Sequence, residues 1–460
     1  MNTAVLYIGK TNVKFAVFDS ADVLQLVRHI PNDVLRDPPY SHVDVERIWA
    51  FLGASLREAS NLMQIDVIVP TTHGATGAVI DDHGLVLPIM DYEFDWLQDI
   101  ELRYNALRDD FKKTFSPAMP AGLNWGRQLA WQKLHHGAAF DRATSILAYP
   151  QYWVWRLTGK RANDIPSLGC HTDLWLPLED RPSQLADAFG ISALLAPIIP
   201  AWNVVGSIQS QVAVEFGIKS DIKVLCGIHD SNASLLPYLS RGEAPLTVLS
   251  TGTWVVAMAV GHPLSSLRQN MDMNANIDAS SRPTACARFK GGREFSIIAD
   301  DCMEKAAIQH IDALIQGDVF ALPSFSQNSG PYALHKGQIK GVSTNQSRSS
   351  LATLYCALMC HTIIDNLNVS HGDIIIEGSF SRNPLIASLL AQLRPSQKVF
   401  IAEDQAGTMR GAAMLAHWPN ANNLPKLTLI EPSQVYQLEN YCEQWLLLIS
   451  KNEPTSPNKD

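Results

Sequence analysis

Ala4-Val5-Leu6-Tyr7-Ile8, Gly9-Lys10-Thr11-Asn12 and Val13-Lys14-Phe15-Ala16-Val17-Phe18-Asp19 succeed one another near the amino terminus. A β-rich run, a short Gly/Thr turn and a second β-rich run predict a hairpin. The pattern returns as Leu246-Thr247-Val248-Leu249-Ser250, Thr251-Gly252-Thr253 and Trp254-Val255-Val256-Ala257-Met258-Ala259-Val260. Gly9 and Gly252 lie about half the chain apart, so each half opens on the same unit. One such hairpin carries little information, but two predict a duplicated architecture.

The segments downstream of each hairpin agree with duplication. In the first half, Ile65–Val69 reads as a buried strand leading into Thr72-His73-Gly74-Ala75, with a further strand at Ala78–Ile80. Helical patterns dominate from Leu123 to Leu157. A strand at Ile222–Cys226 then runs through Gly227-Ile228-His229-Asp230 into a helix at Ser231. In the second half a helix over Leu351–Asn366 precedes a strand at Asp373–Ile376, the turn Glu377-Gly378-Ser379-Phe380-Ser381 and a helix from Pro384 to Leu393. A strand at Lys398–Ala402 precedes a helix around Gly407–His417. Alternating strands and helices imply α/β layers with parallel pairing and ligands at the carboxyl ends of strands. The boundary is placed at Ser240–Pro245, giving domains 1–240 and 241–451 and a polar, Pro-rich, loose tail over 452–460.

Composition narrows the partners. The chain has 460 residues, 46% apolar and 18% charged, which excludes disorder or a coiled coil as the main architecture. A net charge of −9 without a Lys/Arg run provides no electrostatic footprint for nucleic acid or an anionic membrane. Met1–Lys10 lacks the basic and apolar regions of a secretory signal, and no apolar run is long enough to span a membrane. Seven scattered cysteines suit reduced thiols, so a cytoplasmic location is expected. Cys356, Cys360 and His361 share one helical turn, but their apolar neighbours predict a buried helix in preference to a metal site.

Three places carry the chemistry. Gly/Thr turns present backbone N–H groups and hydroxyls that can hold an anion, and two of them can hold a polyphosphate. Neither turn matches the Walker or the dinucleotide pattern. Asp230, at a strand-to-helix step, can take a proton from a hydroxyl that attacks phosphorus; the plain alternative is a helix cap. Gly378-Ser379-x-Ser381-x-Asn383 joins a strand to a helix and can meet a nucleotide, or can be ordinary turn chemistry. Arg288 to Glu294, containing Gly291-Gly292 and two arginines, reads as a loop suited to phosphate or carboxylate.

In family order, these motifs resemble the FGGY sugar kinases of the actin-like ATPase superfamily. The resemblance rests on Gly9-x-Thr11-Asn12-x-Lys14, Gly227-x-His229-Asp230 and Ser250-Thr251-Gly252-Thr253-Trp254. It is completed by Gly378-x-x-Ser381-Arg382-Asn383-Pro384 and Gly411-Ala412-Ala413, while Leu157-Thr158-Gly159 with Asp164 and Ser167 also fits. The His-Asp step and the Thr-Gly-Thr-Trp hairpin look closest to rhamnulose and fuculose kinases. The resemblance implies two RNase H-like domains with a cleft between them, ATP with Mg²⁺, and γ-phosphoryl transfer to a ketose hydroxyl. A 6-deoxyketohexose such as rhamnulose or fuculose, or a ketopentose, is the implied acceptor.

Residue by residue, the resemblance makes Asp230 the catalytic base. It assigns His73, Gly74, Tyr92, Glu93, His229 and Asp230 to the sugar. Gly9, Thr11, Asn12, Thr251, Gly252 and Thr253 fall to the phosphates, and Gly291, Gly292, Gly378, Ser379 and Asn383 to the adenosine side. No protein ligand to the metal is assigned, and a homodimer is left open as the assembly. Two positions depart from the family. Tyr7 stands where members carry the metal-positioning Asp, and a phenol is neutral near pH 7; Lys10 beside it offers a charge to a phosphate. Glu377 stands where glycine is common. Two further readings stay open: a sugar- and nucleotide-binding regulator that has lost turnover because of Tyr7, and an actin-like ATPase with no sugar substrate.

Overall fold

The structure is a computed structural model that describes residues 1–95, 98–240, 245–300, 302, 304–326, 329–342, 347–403, 407–419 and 424–452. It divides into two units. The first comprises Met1–Gly242, Ala275–Pro283 and Ala406–Leu424, and the second Glu243–Asn274, Thr284–Gln405 and Pro425–Asp460. The expected tail lies, but for its first residue, outside the described residues.

The first unit contains strands β1 (Thr3–Ile8), β2 (Asn12–Phe18), β3 (Leu24–Pro31), β4 (Val67–Thr72), β5 (Val204–Ser207), β6 (Lys223–Leu225) and β7 (Ile228–His229). They form one sheet in the order β5-β6-β4-β1-β2-β3, with β7 also pairing β4. β1 to β3 are an antiparallel meander, while β1/β4 and β6/β4 are parallel pairs. Both faces are covered, which explains why these strands read as nearly unbroken apolar runs. Leu6, Ile8, Val13 and Phe15 pack with Trp49, Leu52 and Leu56 of the helix Val45–Leu62. Val5, Ala16, Phe18 and Val69 pack with Ala233 and Leu236 of the helix Asp230–Leu239 and with Ala412 to Leu415.

The second sheet contains β8 (Leu246–Thr251), β9 (Val255–Val260), β10 (Met273–Ile277), β11 (Pro283–Phe289), β12 (Asp373–Gly378), β13 (Val399–Ala402) and β14 (Leu427–Ile430), all in the second unit except Ala275–Ile277 of β10 and Pro283 of β11. The sheet order is β10-β11-β9-β8-β12-β13-β14. From β11 to β14 it repeats the first sheet: three antiparallel strands, two parallel pairs, then an antiparallel edge. The expected duplicated α/β architecture is present.

Three local expectations are corrected. The helical stretch Leu123–Leu157 is broken into helices Trp125–His135, Gly137–Phe140 and Tyr149–Thr158 by a strand, Ser145–Ala148, which pairs antiparallel with Gly77–Ile80. Four consecutive buried residues carry no period of their own, so the pairing partner decides their conformation. The strand expected at Ile65–Val69 runs instead over Val67–Thr72, because Thr71 and Thr72 continue the parallel ladder to Tyr7 and Ile8. Arg288–Glu294 is not a loop: β11 ends at Phe289 and a helix covers Gly291–Ala299. Buried Glu294 anchors that helix, accepting from the Tyr355 hydroxyl, the Ser324 hydroxyl (3.1 Å) and the Ser326 N–H (3.0 Å). Cys356 and Cys360 lie fully buried in the helix Arg348–Asn366, as expected of a core helix.

Candidate active site

In the first unit the sheet brings three strand ends together. Tyr7, Thr71 and Ile228 occupy one row across β1, β4 and β7, and Ile8, Thr72 and His229 the next. The Thr71 hydroxyl donates to the Ile228 carbonyl at 2.9 Å and ties the row. Asp230 is the first residue of its helix, while His229 occupies the cap position without a side-chain capping bond. The cap alternative for Asp230 therefore gives way to a carboxylate left available for other partners.

Those partners are specific. The His229 Nε2 lies 3.2 Å from Asp230 Oδ1, and the Ser231 hydroxyl 3.5 Å from the same oxygen. The Tyr7 hydroxyl donates to Asp230 Oδ2 at 3.4 Å. Burial lowers the His229 pKa to about 4, so the ring is neutral. Its Nδ1 faces the Asn232 amide nitrogen at 3.5 Å, a donor, so Nδ1 accepts and Nε2 carries the ring proton. Asn232 is held in turn by the Asn276 side chain at 3.0 Å. Gly74 permits this arrangement, since a Cβ there would stand 2.7 Å from His229 Nε2.

Burial pushes the Asp230 pKa up to about 6, against the opposing hydrogen bonds from the Ser231 backbone and the Tyr7 hydroxyl. Its side chain retains 20% exposure, so a ligand can reach it. His73 is kept neutral by burial. Its Nδ1 meets the Gly74 carbonyl at 2.9 Å, and a carbonyl only accepts, so Nδ1 holds the proton and Nε2 is an acceptor. The His73 ring lies 5.1 Å from both the Tyr92 and the Tyr149 rings. His73, Gly74, Tyr92, His229 and Asp230 thus form one neighbourhood. Tyr149, which the sequence reading missed, belongs to it; nothing in its helical context marks it out locally.

The first hairpin departs from the expected anion cradle in two respects. The Gly9 N–H closes the turn on the Asn12 carbonyl at 3.0 Å. Lys10 does not offer a free cation, because its Nζ is paired with Asp91 and with Glu93 (3.2 Å) and lies 4.8 Å over the Tyr92 ring. Glu93 therefore engages Lys10, tying the loop 91–93 to the hairpin tip. Thr11 and Asn12 are exposed, with the Asn12 amide donating to the Thr11 hydroxyl at 3.0 Å. Lys10, Thr11, Asp91 and Glu93 border a cavity of about 750 Å³ within this unit, together with Asn32 and Arg36.

The second unit has a separate cavity of about 550 Å³, lined by Gly252, Thr253, Gly292, Arg293, Phe295, Ser296, Ser379, Phe380, Arg382, Asn383 and Ile386. Five of its lining residues are among those assigned to the nucleotide from sequence. The other three assigned residues of this unit, Thr251, Gly291 and Gly378, support the frame. The buried Thr251 hydroxyl donates to the Glu377 carbonyl and accepts from the Phe380 N–H at 2.9 Å. Gly378, at φ 83°, lies so close to the Thr251 carbonyl that a Cβ would stand 2.0 Å from it. Gly291 packs on Val255 and Phe289. The N–H of Gly252 closes its own turn on the Trp254 carbonyl at 2.8 Å. Glu377 is buried. Of the two arginines expected to offer guanidinium groups, Arg288 pairs with Asp272 at 2.7 Å and stacks on Trp254, whereas Arg293 lines the cavity. Phe295, Ser296, Phe380, Arg382 and Ile386 were missed as lining residues; only Phe380 and Arg382 fall inside a motif visible in the sequence.

The groups present suit a nucleotide. Apolar walls (Phe295, Phe380, Ile386) could take a base, Arg293 and Arg382 could donate to phosphate oxygens, and Gly292 would fill the cradle if it carried a Cβ, which would stand 2.2 Å from the Gly252 carbonyl. A protein-held magnesium is not matched in the same way. Tyr7 supplies a neutral phenol turned to Asp230 where a carboxylate would serve, and among the described residues no three His, Cys, Asp or Glu side chains cluster to hold a metal.

Comparisons with known proteins reach both units. The family profile described as the FGGY family of carbohydrate kinases, N-terminal domain, matches residues 3–237. That described as carbohydrate kinase FGGY, C-terminal domain, matches residues 243–424. Among solved structures, the chain is similar to a carbohydrate kinase from Novosphingobium aromaticivorans at 31% identity and TM-score 0.91, covering 98% of this chain and 99% of that one. It shares its fold with a xylulose kinase from Rhodospirillum rubrum (15% identity, TM-score 0.79, 98% of both chains). The same holds for Plasmodium falciparum glycerol kinase with ADP (13% identity, TM-score 0.78, 98% of this chain and 99% of that one). No curated protein shows significant similarity to the chain. Among the described residues no helix is long and apolar enough to cross a membrane.

Proposed function

The chain belongs to the FGGY family of carbohydrate kinases, phosphotransferases acting on a sugar hydroxyl, and on that premise we propose that it transfers the γ-phosphoryl of ATP to a ketose with Asp230 as general base. A 6-deoxyketohexose or a ketopentose is the proposed acceptor class. The observation that carries this reading is the Asp230 carboxylate, partly exposed, held on both oxygens and raised to about pKa 6, beside a neutral His73 whose Nε2 accepts. A base in that range is ionised at neutral pH yet basic enough to draw a proton in the transition state.

In the proposed reaction the acceptor hydroxyl gives its proton to Asp230, and its oxygen forms the new bond to the γ-phosphorus as the bond to the bridging oxygen of ADP breaks. Such a transfer asks mainly for positioning and neutralised charge. His73, His229 and Tyr92 would hold the sugar, with Gly74 admitting the His229 ring. Gly9, Thr11, Asn12, Thr251, Gly252 and Thr253 are proposed for the phosphates, Thr251 through its frame and not its occupied hydroxyl. Gly291, Gly292, Gly378, Ser379 and Asn383 are proposed for the adenosine side, supported by their common cavity or its frame. Glu93 is proposed to act through Lys10.

The test is a coupled assay of ADP release with ATP, Mg²⁺ and a panel of ketoses, repeated with Asp230→Asn. One ketose should stand out, and the variant should bind it while losing turnover by at least about 10²-fold. Wild-type turnover in the variant overturns the assignment of the base. The binding-protein reading has Tyr7 in its favour, and it takes over if no ketose is phosphorylated while sugar and ATP both bind.

A further inference from the structure

We propose that Tyr7 is a positioning residue for the reaction: its phenolic hydroxyl donates to Asp230 Oδ2 and fixes that carboxylate for proton acceptance. This deepens the reading of Asp230 as base and rests on it.

The contact is built by the sheet. Tyr7 is the penultimate residue of β1, in the row that continues through Thr71 to Ile228, two residues before Asp230. The phenol hydroxyl is confined on its other side by the hairpin glycine, since a Cβ on Gly9 would lie 3.2 Å from it. A carboxylate can only accept, so the phenol is the donor. The neighbouring Asp230 charge and burial raise the phenol far above its ordinary range, so it stays protonated throughout the working pH range.

The two carboxylate oxygens consequently differ. Oδ1 lies 3.2 Å from His229 Nε2 and accepts from the Ser231 hydroxyl, both from its own strand-to-helix step. Oδ2 receives the Tyr7 hydroxyl from the neighbouring strand end; the Ser231 backbone N–H also donates to the carboxylate, and the oxygens retain lone-pair capacity for the acceptor's proton. Without the phenol, the carboxylate keeps only partners on its own segment, and nothing from β1 opposes its rotation.

Several other groups face this carboxylate or its helix. His73 comes from the turn after β4, with Lys10 and Asp91 acting on it, and Tyr92 comes from the loop beyond. Asp164 starts the short helix against β7. Arg410, on the helix packed along Asp230–Leu239, is followed by His417. Tyr7→Phe leaves all of these in place and removes one hydroxyl.

Two measurements on the full chain decide the matter. The first is the pH–rate profile of ketose phosphorylation for wild type and Tyr7→Phe. The second needs no activity: ¹³C-carboxyl NMR titration of Asp230, its resonance identified by its loss in Asp230→Asn. With Tyr7→Phe the acid limb and the carboxyl midpoint should both move up by about one pH unit, tenfold in the ionisation equilibrium, while KM for the sugar changes less than about twofold. Should Tyr7→Phe fail to fold, 2,3-difluorotyrosine placed at position 7 keeps the shape and strengthens the donor, and the midpoint should fall. A midpoint unmoved by either substitution overturns the role of Tyr7. A wild type that phosphorylates no ketose, with the midpoint still shifting, overturns the assignment of the base and leaves the Tyr7–Asp230 contact standing.

Discussion

Asp230 should impose an acid limb on catalysis near pH 6 and a stability penalty at neutral pH, both from one cause. Its carboxyl is raised from 3.8 to about 6, chiefly by burial. About nine-tenths of the groups are ionised at pH 7 and about one-tenth at pH 5, so kcat/KM should fall roughly tenfold between those values. A carboxylate at its ordinary pKa would leave the rate unchanged over that range. The same rise means that the folded protein binds more protons than the unfolded chain between pH 3.8 and 6, so this group's contribution falls as pH rises through that window. The cost above pH 6 amounts to roughly 3 kcal/mol. Asp230→Asn should therefore raise the melting temperature at pH 7.5 and lose that advantage below pH 4, while abolishing turnover. The assays are the pH–rate profile with the preferred ketose and thermal melts of both proteins across pH 3.5–8. A rate flat from pH 7 to pH 5, or a variant no more stable than wild type at pH 7.5, would refute the argument that burial tunes this carboxylate.

Other outcomes rest on the same geometry. Gly74→Ala should place a methyl against His229 and lower kcat by about tenfold or more, with ATP affinity unchanged by calorimetry. Gly378→Ala combines a positive φ with a Cβ 2.0 Å from the Thr251 carbonyl; it should cost at least about 1–3 kcal/mol of stability and weaken ATP binding, read by melts and calorimetry. Asp164, buried and raised from 3.8 to about 7, binds protons in the folded state that the unfolded chain has lost between those values, so stability should decline as pH rises through that range. Asp164→Asn, which can still accept from the Ser167 N–H, should flatten the decline between pH 6 and 7 in thermal melts. Lys10→Ala should free the loop carrying Asp91 and Glu93 and raise KM for the sugar several-fold, while the calorimetric affinity for ATP stays unchanged, because the lysine is occupied by carboxylates.

Strand and turn character are local properties, and for that reason much of this protein is legible in its sequence. The two hairpins, the strand-to-helix steps at Asp230 and Gly378, and the core helix with Cys356 and Cys360 all derive from residue type and period. The strand Ser145–Ala148 did not, because four buried residues take their conformation from a distant partner in the chain, Gly77–Ile80. The helix Gly291–Ala299 looked like a loop because its anchor, Glu294, is polar and finds its partners at Ser324, Ser326 and Tyr355.

Sequence alone thus determined the duplicated α/β plan and which short segments carry chemistry, since hydrophobic period and turn residues act on their immediate neighbours. Tertiary structure decided what those side chains are free to do. It turned Tyr7 to a carboxylate 223 residues distant and neutralised Lys10 with Asp91 and Glu93. It also placed Ala275–Pro283 and Ala406–Leu424 with the first unit. Hydrogen bonds and ion pairs depend on distance in space, and chain order fixes that distance only once the sheets have formed.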